Sequence, residues 1–170
     1  MPQGVSVTVK DGVFTVKGPK GELVRRLFHN RIEYALEGSH IRVRSYNATR
    51  REKKMVNTMV AHLRNLLHGV LEGHKYTLKV CSGHFPMTVS VKGDTLEIKN
   101  FMGEAVPRRL KLNPDAKVTV EGHDVHVESN DVEVAGQQAA RIERLCRRAG
   151  FDRRIFQDGI YITHKGEDAL

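Results

Sequence analysis

The sequence is short of the residues and patterns that most chemistry requires. It has two cysteines in 170 residues, Cys81 and Cys146. They stand far apart with no CxxC or His–Cys spacing, which points to reduced, buried thiols rather than a zinc site. No apolar run approaches the roughly 18 residues that span a membrane as a helix. The opening "MPQGVSVTVK" lacks the charged-then-apolar order of a secretory signal. The expected setting is therefore cytoplasmic, with no membrane partner. There is no HExxH, no facial triad, no Cys/His quartet and no GxxxxGK[ST] loop. A nucleophile elbow and paired carboxylates at catalytic spacing are absent as well.

Nine histidines are present, but they are scattered. His62 and His68 lie six apart on one helical pattern, off the i, i+4 face of a metal pair. His123 and His126 fall on opposite faces of a strand. Asp158 precedes Gly159, and Asp-Gly after a strand is a turn signal before it is a general acid. "GPKG" at 18–21 becomes "NFMG" in a second copy of the same segment, so it reads as a turn rather than a phosphate cradle. No catalytic residue, metal or cofactor is expected. The enzyme alternative, a nuclease using one histidine, has no motif behind it.

What is present is repetition. "VSVTVKDGVFTVKGPKGELV" from Val5 matches "MTVSVKGDTLEIKNFMGEAV" from Met87. Gly21-Glu22 falls on Gly103-Glu104, and Arg25-Arg26-Leu27 on Arg108-Arg109-Leu110. "LEGSHIRVRS" answers "VEGHDVHVES" further on. A duplication of roughly 80 residues exceeds a solenoid unit and implies two copies of one small domain. Gly83 and Pro86 punctuate the join, which sets the expected domains at 1–82 and 83–170.

Each copy opens with period-2 alternation broken by a turn, Asp11-Gly12 or Gly93-Asp94, which predicts a hairpin. Strands follow around 32–36 and 41–44, and around 117–120 and 124–128. In the first copy a capping box at Thr49 and Glu52 starts a helix with Met55, Met59, Leu63 and Leu66 on one face, ending at Gly69. In the second copy Ala135, Ala139, Ile142, Cys146 and Ala149 form the apolar stripe, with Gly150 as the stop. "YTLKVC" and "GIYIT" then close each half as strands. The fold class is α+β: two tandem homologous domains, each an antiparallel-rich sheet packed with one helix.

Basic residues outnumber acidic ones, 28 to 20, a net charge of +8 that attracts polyanions, nucleic acid foremost. Residues 1–82 carry 15 basic and 6 acidic side chains, against 13 and 14 in 83–170. Local clustering points the other way. Arg141, Arg144, Arg147, Arg148, Arg153 and Arg154 crowd the second helix and the turn after it, a pattern suited to phosphate contact. "RVRSYNATRREKK" at 42–54 is a second candidate, with Tyr46 available to stack on a base.

At "FDRRIFQDGIYITHKGED", with "SGHFPMTVSV", "IKNFMGEAVPRRLKL" and "VKGPKGEL", the chain resembles the family of the sixth protein of the large ribosomal subunit, in its archaeal and eukaryotic branch. The resemblance covers essentially the whole chain, duplication included. Its most diagnostic residues are Arg154, Phe156, Asp158, Gly159, Ile160, Tyr161, Ile162 and Lys165. It implies a structural, non-enzymatic ribosomal protein that binds large-subunit rRNA, mainly through the second domain. It further implies neighbouring large-subunit proteins as partners. The place implied is near the sarcin–ricin loop and the factor-binding region, where translational GTPases pass. Carried over by position, the RNA contacts are Arg153, Arg154, Gln157 and Lys165 from the tail, and Arg108, Arg109 and Lys111 from the "GEAVPRRLK" loop. One stretch departs from the pattern. Arg144 stands near a position that is usually Gln, and Ala149-Gly150-Phe151 replaces part of a basic run. Arg147 and Arg148 are expected to supply that charge one turn earlier. Relatives often carry a longer amino-terminal lead than the few residues before Val5. A free RNA-binding module with a regulatory role outside the ribosome is the alternative.

Overall fold

Alternating β-branched residues build the first hairpin as expected. In a computed structural model of the chain, all residues are described except Met1, Gln3, Ser39, Arg153, Glu167 and Leu170, with Asp168 and Ala169 described by their backbone alone. The chain divides into two compact units, residues 1–73 and 74–170.

In the first unit β1 (Ser6–Lys10), β2 (Val13–Gly18) and β3 (Gly21–Arg26) form an antiparallel meander. Asp11 and Gly12 both take positive φ, 48° and 73°, the geometry of a tight two-residue hairpin turn. A second hairpin joins β4 (Glu33–Glu37) and β5 (His40–Arg44). The helix α1 (Arg50–Leu71) packs on β2, β3 and β5. Its Met59, Leu63, Leu66 and Val70 meet Phe14 and Val16 of β2, whose alternation turns Thr15 and Lys17 outward. Tyr34 closes the core edge-on to Phe14, ring centroids 4.9 Å apart.

The capping box forms. Thr49 accepts the backbone N–H of Arg51, and Glu52 accepts that of Thr49 at 3.0 Å. The stop is corrected. Gly69 lies buried within the helix, which continues to Leu71 and ends where Gly73 takes a left-handed φ of 77°. At Gly18 the backbone runs so close to α1 that an added Cβ would lie 2.7 Å from the Val70 carbonyl oxygen.

The second unit begins earlier than the sequence join suggests. β6 (His74–Cys81), expected to finish the first domain, pairs antiparallel with β11 (Asp124–Ser129) and β12 (Gly159–Lys165). It is the central strand of a five-stranded sheet whose outer members are β10 (Lys117–Glu121) and β13 (Asp168–Ala169). The boundary is therefore Gly73/His74 rather than 82/83. The physical reason is burial: Leu78 and Val80 point into the second core beside Val125, Val127 and Ile160.

A meander of β7 (Thr88–Lys92), β8 (Thr95–Lys99) and β9 (Arg108–Lys111) repeats β1–β3. The end of "GEAVPRRLK" is thus a strand rather than a loop. The helix α2 (Val132–Leu145) packs on β6, β9, β11 and β12 through Ala135, Ala139 and Ile142. It stops at Leu145, short of the expected Ala149, where Arg108 donates to the carbonyl of Leu145 and to that of Arg147 beyond the helix end.

Candidate nucleic-acid interface

Three elements of the second unit carry the sequence-predicted residues, and they treat their cations differently. On α2 the apolar stripe faces the core, which leaves Arg141 and Arg144 exposed. Arg147 and Arg148 follow the helix end, also exposed. Among the described residues the guanidinium groups of Arg144 and Arg147 have no partner, so both are free for an external anion. Arg141 donates to the Lys111 carbonyl at 3.2 Å, which joins the helix face to the end of β9. Arg148 lies over the Phe151 ring at 4.3 Å, with Glu104 at 4.0 Å.

Arg108 is largely engaged within the unit. Its side chain is only 21% exposed and its guanidinium is used within the unit. Nε and Nη2 grip both Glu104 carboxylate oxygens at 2.7 and 2.6 Å, and Nη1 donates to the carbonyls of Leu145 (2.6 Å) and Arg147 (3.1 Å). The same group stacks on Phe101 at 4.3 Å. A cation at a helix C-terminus satisfies orphan carbonyls and complements the macrodipole. The bond to Glu104 raises the pKa of Arg108, and hydrogen bonding from Arg108 holds Glu104 below the usual carboxylate range. Arg108 builds the surface and does not reach out from it.

Its neighbour Arg109 points to the other face of the meander, where register sets it opposite Glu97. Glu97 is buried, 3.1 Å from Lys92, 3.1 Å from Arg109 and 3.9 Å from Lys99. Hydrogen bonds from Lys92 and then Arg109 hold its carboxyl low. Lys111 lies two residues beyond Arg109 on that face, exposed and without a side-chain partner among the described residues. Three cations thus surround one carboxylate, with Lys111 farther along the same face. Lys92 and Lys99 were missed by sequence reading, although strand alternation from Arg109 through Glu97 would have found them.

The tail supplies the third group. Arg154 grips Asp152 at 2.9 and 3.1 Å yet stays 90% exposed, leaving its outer edge to solvent. Gln157 is exposed, donating to the Arg154 carbonyl at 3.5 Å, and Lys165 is exposed at the end of β12. Arg153 lies outside the described residues.

Asp158 is neither a simple turn residue nor a reactive acid. Its buried carboxylate accepts the backbone N–H of Gly83 at 2.8 Å and of His84 at 3.2 Å, and meets His84 Nδ1 at 3.1 Å. Burial alone would raise its pKa, but these bonds outweigh it and hold the group ionised. Burial pushes the Cys146 thiol up to about 11, so it is protonated and inert. No group of three metal-ligating side chains occurs among the described residues. In the first unit Tyr46 is exposed, while Arg42 and Arg44 both lean on Glu37, at 2.8 and 3.6 Å.

Exposed guanidinium groups on a duplicated scaffold, with the buried carboxylates taken up in its own structure, form a surface of the kind that suits anion contact. Comparison with known proteins narrows the class. The family model for ribosomal protein L6 matches residues 1–73 and 85–159, one match per copy of the repeat. The large ribosomal subunit protein uL6 of Ignicoccus hospitalis is 43% identical over 167 residues, covering 95% of this chain and 90% of that protein. The corresponding protein of Desulfurococcus amylolyticus is 44% identical, covering 98% and 92%, and that of Methanosarcina mazei 42%, covering 97% and 94%. The chain belongs to the ribosomal protein L6 family, a family of structural ribosomal proteins and not of enzymes.

Proposed function

We propose that this protein is a structural constituent of the large ribosomal subunit that folds and holds large-subunit rRNA, mainly through its second unit. The observation that carries the reading is the uncommitted guanidinium pair, Arg144 and Arg147, at the end of α2. Arg108 ties that end to β9 through the Leu145 carbonyl. Relatives matching nearly the whole chain bear the name large ribosomal subunit protein uL6. Arg109, Lys111, Arg141, Arg148, Arg154, Gln157 and Lys165 extend the contact, with Arg153 between them in sequence. The mechanism is phosphate neutralisation by cations fixed on strands and a helix, with RNA shape read more than base sequence. On this reading the protein works in the cytoplasm beside other large-subunit proteins. The resemblance adds a position near the sarcin–ricin loop and the path of translational GTPases.

The test is co-sedimentation of a tagged chain through sucrose gradients of a source-cell lysate, at low and then high salt. Retention on the large subunit after the high-salt wash is the expected result. Release at modest salt, or a complex with one small RNA away from the subunit, overturns it.

A further inference from the structure

The turn after α2, where Ala149-Gly150-Phe151 stands in place of positive charge, is built from rings. Phe151 and Phe156 meet edge to face, with centroids 5.1 Å apart and planes at 80°. Arg148 covers the Phe151 ring at 4.3 Å, and His84 lies against Phe156 at 5.1 Å. Phe151, Phe156, Tyr161, Phe101, Ile160 and Cys146 border a cavity of about 290 Å³, close to the lower bound of small-ligand pockets. Phe151 and the neighbouring Ile155 are exposed, although apolar.

The chemistry of this cleft is specific. Its floor is apolar, and the Cys146 thiol there is neutral. The Asp158 carboxylate at its edge is already bound to the 83–84 backbone. Its mouth carries Arg147 and Arg148, and Glu143 is the polar acceptor in the lining. A flat group with two apolar faces, hydrogen-bond donors on its edge and an attached anion fits such a site. A nucleotide has all of these. An acidic peptide offers the anion without the flat face. Aromatic side chains hold unstacked bases in this way, and the contact tolerates any base because each has a π-face.

We infer that this cavity receives one unpaired nucleobase of the bound RNA, set against the Phe151–Phe156 wall with its phosphate on Arg147. The inference rests on the RNA-binding reading above and adds a base contact to what is otherwise a phosphate interface. It also explains why an exposed phenylalanine occupies a turn otherwise rich in charge.

The test uses the full chain and two labelled single-stranded oligomers of equal length, an oligoadenylate and an abasic chain with the same sugar–phosphate backbone. Anisotropy gives both affinities. The wild type should prefer the oligoadenylate, and F151A and F151L should weaken that binding roughly tenfold while leaving the abasic oligomer unaffected. F151W should keep the preference. Because the chain has no tryptophan of its own, the new indole should also be quenched on binding. Equal wild-type affinities, or an unchanged preference in F151A, overturn the base site while the RNA reading stands. Binding to neither oligomer overturns both. Polyglutamate binding as tightly as oligoadenylate, and equally sensitive to F151A, would reassign the cleft to an acidic protein.

Discussion

Asp158 accepts the backbone N–H of Gly83 at 2.8 Å across a separation of 75 residues. One carboxylate therefore fixes the loop before β7 to the start of β12. Its neighbour in the ladder, Gly159, pairs with Cys81, so the loop leaves the sheet beside its anchor.

The folded carboxyl of Asp158 binds its proton less readily than the unfolded one. Its stabilising contribution is therefore complete above the unfolded pKa and fades as pH falls through the depressed folded value. D158N should unfold at lower urea than the wild type at neutral pH, by about 1–3 kcal/mol for the impaired buried acceptor. The gap should close on acidification. A gap independent of pH would show that charge plays no part.

Arg108 and Arg109 are adjacent but should separate cleanly. R108A removes the ligand of the α2 carbonyls and leaves Glu104 without its fork, so it should lower stability by about 1.5–3 kcal/mol. R109A should leave the melting midpoint nearly unchanged and reduce the salt dependence of RNA binding by about one phosphate contact. Thermal melts and salt titrations of both variants decide the matter. Equal melting losses would reject the distinction.

Glu52 should titrate at about 2, held down first by its side-chain bond from Thr49, then by backbone N–H groups and by Arg31 at 3.0 Å. This contribution is present above the unfolded value and is lost as pH drops through about 2. T49A should raise the Glu52 pKa toward its ordinary range, read by NMR titration of the carboxyl carbon. It should also lower the melting midpoint of the first unit.

Charge reversal locates the binding surface. R147E/R148E should weaken large-subunit association well beyond K10E/K17E, a matched pair in the first hairpin, even though the first unit holds most of the net charge. Sedimentation of the two double variants at one salt concentration compares them. Equal losses would point to non-specific charge.

Local features were legible in the sequence because their causes lie within a few residues. The Asp11-Gly12 turn needs two positive φ values, and the Thr49–Glu52 cap closes within three residues. Long-range partners were not legible. Nothing in "HKYTLKVC" says that its ladder mates stand near 126 and 160 instead of among the preceding strands. Arg108 reads as one more basic residue until the Leu145 carbonyl, 37 positions away, is brought beside it. The basic character of α2 was legible. Which guanidinium groups stay uncommitted was not, because that depends on carbonyls and rings contributed by other elements.

The placement of β6 has a consequence in time as well as space. The first unit is complete at Gly73, so it is free to fold while the ribosome is still making the rest. β6 is the next segment out, yet it is the middle strand of its sheet, and its partner β12 spans Gly159–Lys165. For most of the second unit's synthesis a strand carrying Leu78 and Val80 waits with at least one edge open. Any fragment cut at the sequence repeat, after residue 82, removes that strand from the unit it belongs to. A fragment beginning at His74 keeps it.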